Sequence, residues 1–211
     1  MKKLIIIGAR GFGREVFSLA TRSIGYNEEF SIKGFLDSKS EVLDEFENYP
    51  PIIGSVEDYE IQEDDVFVCA LGSVKWKKHY IEIILEKGGE FINIIEKSVR
   101  IGENVSIGKG CIVCEYSVIN NDAVIDDYVS IHSHSLFGHD VVIGKYSHIG
   151  AHCFFGGYAK VREEVTVYVR STILDRLEIE KGATVGAGSL VVKKVKSETT
   201  VFGNPAVKIF G

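Results

Sequence analysis

Five of the six histidines fall within one short stretch, at positions 132, 134, 139, 148 and 152, with His79 standing apart. An imidazole changes charge near neutral pH, so such a cluster offers two chemistries: neutral rings that ligate a metal, or a ring that takes a proton as a general base. His139 is followed directly by Asp140. A second group of interest lies near the start, where Gly8-Ala-Arg-Gly11-Phe-Gly13 follows an apolar run and Asp37 ends another. Backbone N–H groups opening a helix favour anions, and missing Cβ atoms let a phosphate approach. The spacing is G-x-x-G-x-G rather than the dinucleotide fingerprint G-x-G-x-x-G, so these residues fit either a bound nucleotide or close packing of a strand on a helix. The pair Cys111-x-x-Cys114 has metal-site spacing but no second pair accompanies it, and Cys69 sits inside the apolar run VFVCALG. The cysteines read as packed thiols.

The elements that position the histidines are legible from a repeat. Residues 99–194 form sixteen consecutive six-residue units without an insertion, from VRIGEN and VSIGKG to ATVGAG and SLVVKK. Every third position is apolar, from Ile101 and Ile107 through Phe137 and Phe155 to Val191, and first positions are small or aliphatic, Cys111 and Cys153 among them. Residues i and i+2 of a strand share a face, so positions one and three point inward together. Glycine recurs at the fourth position (Gly102, Gly108, Gly138, Gly144, Gly150, Gly156, Gly186), where it is expected to turn the corner through unusual backbone angles. Three units make a triangular coil of eighteen residues, and coils stack at about 4.8 Å. Residues eighteen apart, such as His134 and His152 or His139 and Gly157, are therefore expected on adjacent coils. His139 falls at a corner and His148 at an outward position.

The first ninety residues read differently. Strands at Leu4–Ile7, 31–36 and 66–71 alternate with helical stretches after Arg14 and around Trp76, Tyr80, Ile83 and Ile84, the latter ended by Gly88-Gly89. This spacing predicts a small Rossmann-like α/β domain over 1–90, followed by an all-β parallel β-helix and tail over 91–211.

Composition narrows the class further. A net charge of −6 with both signs interspersed argues against nucleic acid or an anionic membrane as partner. No apolar run approaches the roughly 20 residues needed to span a bilayer, and MKKLIIIGARG flows into a glycine turn rather than a signal-peptide cleavage site. The expectation is a cytoplasmic protein.

The segment Phe137-Gly-His139-Asp140-Val-Val-Ile-Gly144-Lys-Tyr-Ser-His148-Ile-Gly150 resembles the catalytic stretch of bacterial sugar acetyltransferases of the sialic acid and bacillosamine-pathway type. In that family a His followed by Asp or Glu and V-I-G precedes another His nine residues on. The likeness extends to the glycine turn, the strand ending in Asp37, the Ala70-Leu-Gly72-Ser73 segment, the hexapeptides and the GNPA tail from Gly203. It implies a left-handed β-helix, the exception to right-handed crossovers. It also implies transfer of an acetyl group from acetyl-CoA to an amine or hydroxyl of a nucleotide-linked sugar, for surface glycan biosynthesis. By position, His139 would be the general base and Asp140 its orienting acid. His148 would lie near the acetyl group, the Gly157 N–H at the thioester oxygen, and Val169 and Ala187 at the adenine end of CoA. Gly8, Gly11, Gly13, Asp37, Gly72 and His132 would face the acceptor. The family implies a homotrimer with active sites in grooves between neighbouring β-helices, and no metal.

Two departures stand out. His132 occupies a position where relatives often carry Asn. Arg162 and Tyr168 replace the usual fourth-position glycine, so that Arg162 and Arg170 either contact CoA phosphates or are ordinary corner substitutions. Two other classes stay open. A carbonic-anhydrase-like zinc enzyme on the same β-helix would use histidines five residues apart, as His134 and His139 are, but Ser98 stands where the third ligand belongs. A non-catalytic nucleotide-binding β-helix protein would bind without turnover.

Overall fold

The computed structural model describes residues 1–211 and divides into two compact units, Met1–Lys97 and Ser98–Gly211. In the first, β1 (Lys2–Ile7), β2 (Phe30–Leu36), β3 (Ile52–Gly54), β4 (Asp65–Cys69) and β5 (Glu90–Phe91) form a parallel sheet in the order β3-β2-β1-β4-β5. The chain leaves β1 first toward β2 and later returns on its other side at β4, so the order reverses between β1 and β4. Open α/β sheets bind ligands at such a switch point, beyond the carboxyl ends of the strands. Leu4 to Ile7 and Val66 to Cys69 are buried throughout, as runs sandwiched by helices must be. Helix α1 (Gly11–Ala20) has no side-chain cap at its start, whereas Ser73 Oγ accepts from Trp76 N at the start of α2 (Val74–Glu86). At the end of α2, Gly88 takes a φ of +81° and Gly89 N donates to Ile84 O.

Residues 91–97 belong to this first unit. The reason is in their hydrogen bonds: Ile92 N donates to Phe67 O, and Ile95 O accepts from Ile24 N.

The second unit is a parallel β-helix. Each six-residue unit contributes one two-residue strand at its second and third positions, and strands eighteen residues apart pair in register. Three faces result. The first begins at Arg100–Ile101 and ends at Leu190–Val191, the second runs from Ser106–Ile107 to Glu178–Ile179, and the third includes Ile112–Val113, Ser130–Ile131, His148–Ile149 and Thr184–Val185. Third-position side chains fill the core from Val113 to Val191, with Phe137 and Phe155 stacked at 4.9 Å, and Cys111 and Cys153 are buried first-position residues as expected. No disulfide joins the four cysteines, and burial pushes Cys69 up to about 12 and Cys153 up to about 11. The coil ends in Thr200–Phe202, against which Val207–Phe210 folds back antiparallel.

The corners differ from the expectation drawn from glycine. Left-handed backbone occurs at the sixth position of the units, with φ between +56° and +67° at residues as varied as Asn104, Tyr116, His134, Asp140, Tyr158 and Arg170. The fourth-position glycines have ordinary φ and answer a different need. A Cβ at Gly144 would lie 2.6 Å from the Arg162 carbonyl carbon, and one at Gly150 2.6 Å from Val169 N, so these residues let successive coils approach. The sixth-position strain is spread over hydrogen bonds between coils: from Asp122 to Gly188 each sixth-position N–H donates to the fifth-position carbonyl one coil earlier, as Tyr158 N does to His139 O.

Candidate active site

His139 sits at the fifth position of its unit, at the corner between Leu136–Phe137 of the first face and Val142–Ile143 of the second. Its Nδ1 lies 2.8 Å from Asp140 Oδ2. A carboxylate at that distance fixes the proton on Nδ1 and leaves Nε2 as the accepting atom. Asp140 presents its carboxylate there because its backbone is left-handed, φ +59°, a region Asp tolerates better than most residues.

Gly157, one coil later, covers this ring: a Cβ there would lie 2.7 Å from His139 Nε2 and 2.8 Å from its Cε1. The Gly157 N–H has no acceptor in the chain, while its carbonyl accepts from Arg176 N. Tyr158 meets the imidazole edge to face at 5.0 Å, and Arg176 lies over the Tyr158 ring at 4.7 Å. Tyr158 was not singled out by the sequence, although nineteen residues is one coil and one position beyond His139. The corner thus carries an oriented imidazole with an open Nε2 and an unused backbone donor beside it. A base of this kind can remove a proton from an attacking group, and such a donor can bind a developing oxyanion.

The remaining candidates on the coil lie elsewhere. His132 and His148 belong to the third face, where their rings meet edge to face at 4.8 Å. Val169 and Ala187 lie at the corner between the third and first faces, exposed, each with a backbone N–H that has no acceptor in the chain. One chain therefore places His139, Asp140 and Gly157 at one corner, and His132, His148, Val169 and Ala187 around another.

His134 and His152 stack at 4.8 Å at the third-to-first corner, with Tyr116 next in the column at 5.0 Å. Histidines 134 and 139 are five residues apart but occupy different corners, so the spacing does not bring them together. No group of three His, Cys, Asp or Glu side chains is arranged to hold a metal ion. Arg162 is engaged by Glu178 through Nε and through the guanidinium NH2, both at 2.6 Å, at the second-to-third corner and away from Val169. Arg170 shares the corner with Val169.

In the first unit, a cleft of about 360 Å³ opens beyond the carboxyl ends of β1, β2 and β4, and Gly8 and Asp37 line it. Gly8 needs its φ of +94° for the turn. Gly13 is required by packing, because a Cβ there would lie only 1.9 Å from Gly8 O. Gly11 opens α1 with nothing within 4 Å of its missing side chain. Asp37 Oδ2 accepts from Ala9 N at 3.0 Å and Oδ1 from Lys39 N at 3.1 Å, so this carboxylate clamps two loops together. Gly72 is exposed between Leu71 and Ser73, which do line the cleft.

Comparison with known proteins agrees with this division. Residues 3–84 match the model of the PglD N-terminal domain, and residues 92–184 that of the GMPPB C-terminal domain. The acetyltransferase domain of PglB from Neisseria gonorrhoeae, solved in complex with acetyl coenzyme A, is 25% identical with a TM-score of 0.89, covering 99% of both chains. PerB from Caulobacter crescentus, solved with CoA and GDP-perosamine, is 22% identical with a TM-score of 0.88, covering 99% of this chain and 98% of that one. Serine acetyltransferase of Escherichia coli K12 is 30% identical over 114 residues, 53% of this chain but 36% of that protein, so the match spans about a third of that curated relative. The second unit accordingly has the left-handed β-helix acyltransferase fold, and the first unit matches the PglD-type N-terminal domain.

Proposed function

We propose that this protein transfers an acetyl group from acetyl-CoA to an amino or hydroxyl group of a nucleotide-linked sugar, with His139 as general base. The observation that carries this reading is the His139–Asp140 pair lying under the free N–H of Gly157. His139 Nε2 takes the proton as the acceptor attacks the thioester carbonyl. The Gly157 N–H donates to the oxygen that becomes negative in the tetrahedral intermediate. Collapse expels the CoA thiolate, and the proton held on the imidazole leaves with the products. Asp140 keeps the proton on Nδ1 and stabilises the imidazolium while it exists.

Acetyl-CoA as donor is supported by the PglB domain, which was solved with that ligand. The cleft of the first unit takes the nucleotide part of the acceptor. A homotrimer is part of the proposal, supported by the separation of His139 and Gly157 from His148, Val169 and Ala187. With the candidate residues on two corners, a complete site needs a neighbouring copy, and cyclic closure is the common way to supply one.

Thiol release from acetyl-CoA, followed against UDP-, GDP- and dTDP-linked amino sugars and free sugars, tests the reaction. One acceptor is expected to give turnover, and His139→Ala to lower it by about 10²-fold or more with the thermal midpoint retained. Failure of every acceptor to support thiol release, or an unchanged rate in the variant, would overturn the reading.

A further inference from the structure

The cleft of the first unit carries more than its glycine turn. Trp76, the single tryptophan of the chain, is half-exposed on α2 and stacks on Tyr80 at 6.1 Å and 27°, and both rings line the cleft. Glu57 enters from the loop after β3. Its backbone is held by Lys87, the residue that follows α2, whose Nζ donates to the carbonyls of Val56, Glu57 and Tyr59. Its carboxylate has no hydrogen-bond or ion-pair partner in the chain. The other carboxylate, Asp37, is occupied by two backbone amides. Burial first, and then the charges of Glu57 and Asp37, hold the Tyr80 hydroxyl above its ordinary pKa. At the turn after β1 the cleft has Gly8 and Arg10, the end suited to phosphate.

We infer that the nucleotide bound here is a guanosine diphosphate, its base stacked on Trp76 and its Watson–Crick edge read by the Glu57 carboxylate. The inference rests on the proposed nucleotide-linked acceptor and names its base. Guanine alone presents two donors side by side, N1–H and the N2 amino group, and these match the two oxygens of one carboxylate. Uracil and thymine place a single N3–H between two carbonyl oxygens, which a carboxylate repels. Adenine and cytosine pair an amino donor with a ring acceptor, which leaves one carboxylate oxygen facing a lone pair. An aromatic face holds any base with little discrimination, so Trp76 supplies affinity and Glu57 supplies the choice.

Because Trp76 is unique, its emission reports on the cleft without any turnover. Titration of the full chain with GDP, UDP, dTDP and ADP should show quenching by GDP at concentrations at least tenfold lower than by the others. Glu57 is exposed, so Glu57→Gln leaves folding intact; it should weaken GDP at least tenfold and leave UDP binding as tight as before or tighter, because the amide offers uracil both a donor and an acceptor. Equal or tighter binding of UDP or dTDP, or GDP affinity unaffected by Glu57→Gln, would overturn the inference. If another nucleotide binds and its amino sugar is acetylated, the acetyltransferase reading stands while the guanine assignment falls. If no nucleotide binds and no acceptor turns over, both fall.

Discussion

Gly157 lies so close over His139 that a single methyl group at its Cα would come within 2.7 Å of the ring nitrogen assigned to accept the proton. Atoms at that distance overlap, and the ring is the part able to move. Gly157→Ala is therefore expected to swing the imidazole out of line with Asp140. The kcat should fall by about 10²-fold, the order of loss that follows a displacement of about 1 Å at a reacting group. The KM for acetyl-CoA and the melting temperature should change little. Steady-state kinetics with a thermal melt of the same variant checks both.

Asp140→Asn separates charge from geometry. Asn adopts left-handed backbone as readily as Asp, so the φ of +59° at this corner is kept. What is lost is the acceptor-only carboxylate that fixes the Nδ1 proton, since an amide can equally present its NH2 there, and the charge that stabilises imidazolium. A fall in kcat of about tenfold or more is expected, about 1.4 kcal/mol or more in the barrier, with KM for either substrate held within twofold. A variant with wild-type kcat would remove Asp140 from the mechanism.

Asp65 makes a prediction about stability rather than rate. It is buried and accepts from Lys33 Nζ at 2.6 Å, Tyr59 OH at 2.7 Å and Gln62 N at 2.9 Å, tying β2 to β4 and to the loop before it. Burial alone would raise its pKa, but these three donors outweigh burial and hold it below the ordinary carboxylate value. A carboxyl with a lowered folded-state pKa contributes its full stabilisation above about pH 4 and loses it as pH falls through the lowered value. Asp65→Asn should lower unfolding stability at pH 7 by about 2–4 kcal/mol. Its stability should also fall less steeply than wild type below about pH 4, which denaturant titrations at several pH values would show.

Arg162 is expected to be silent. Its guanidinium is engaged by Glu178, which Lys194 also pairs at 2.8 Å, on the exposed surface of the second-to-third corner. Exposed pairs of this kind contribute about 0–1 kcal/mol. Arg162→Ala should leave the KM for acetyl-CoA within twofold, whereas Arg170→Ala, at the corner of Val169, is the variant expected to raise it. The reverse order in a side-by-side KM measurement would place the phosphates on the other corner.

The coil was legible because its two inward positions report independently on one geometry. Each third-position Ile, Val or Phe and each small first-position residue adds to the same period, and the sum survives local exceptions such as the exposed Ile101. Glycine misled at the corner. Its presence at the fourth position suggested unusual dihedral angles, while the left-handed residues are the sixth-position Asn, Asp, Tyr, His and Arg. Sequence records which side chain is absent but not whether angle or neighbour required it, and Gly144 and Gly150 are small because the next coil lies against them.

The sequence by itself determined the period, the eighteen-residue register that stacks Gly157 on His139, the pairing of His139 with Asp140, and the glycine turn after β1. Each depends on spacings along the chain that a strand or a turn converts directly into position. Only the tertiary structure decided that Asp37 is occupied by Ala9 and Lys39, and that Glu57 and Trp76 share a cleft. These relations join residues through the crossing of a parallel sheet, and such long-range geometry leaves no periodic trace in the chain.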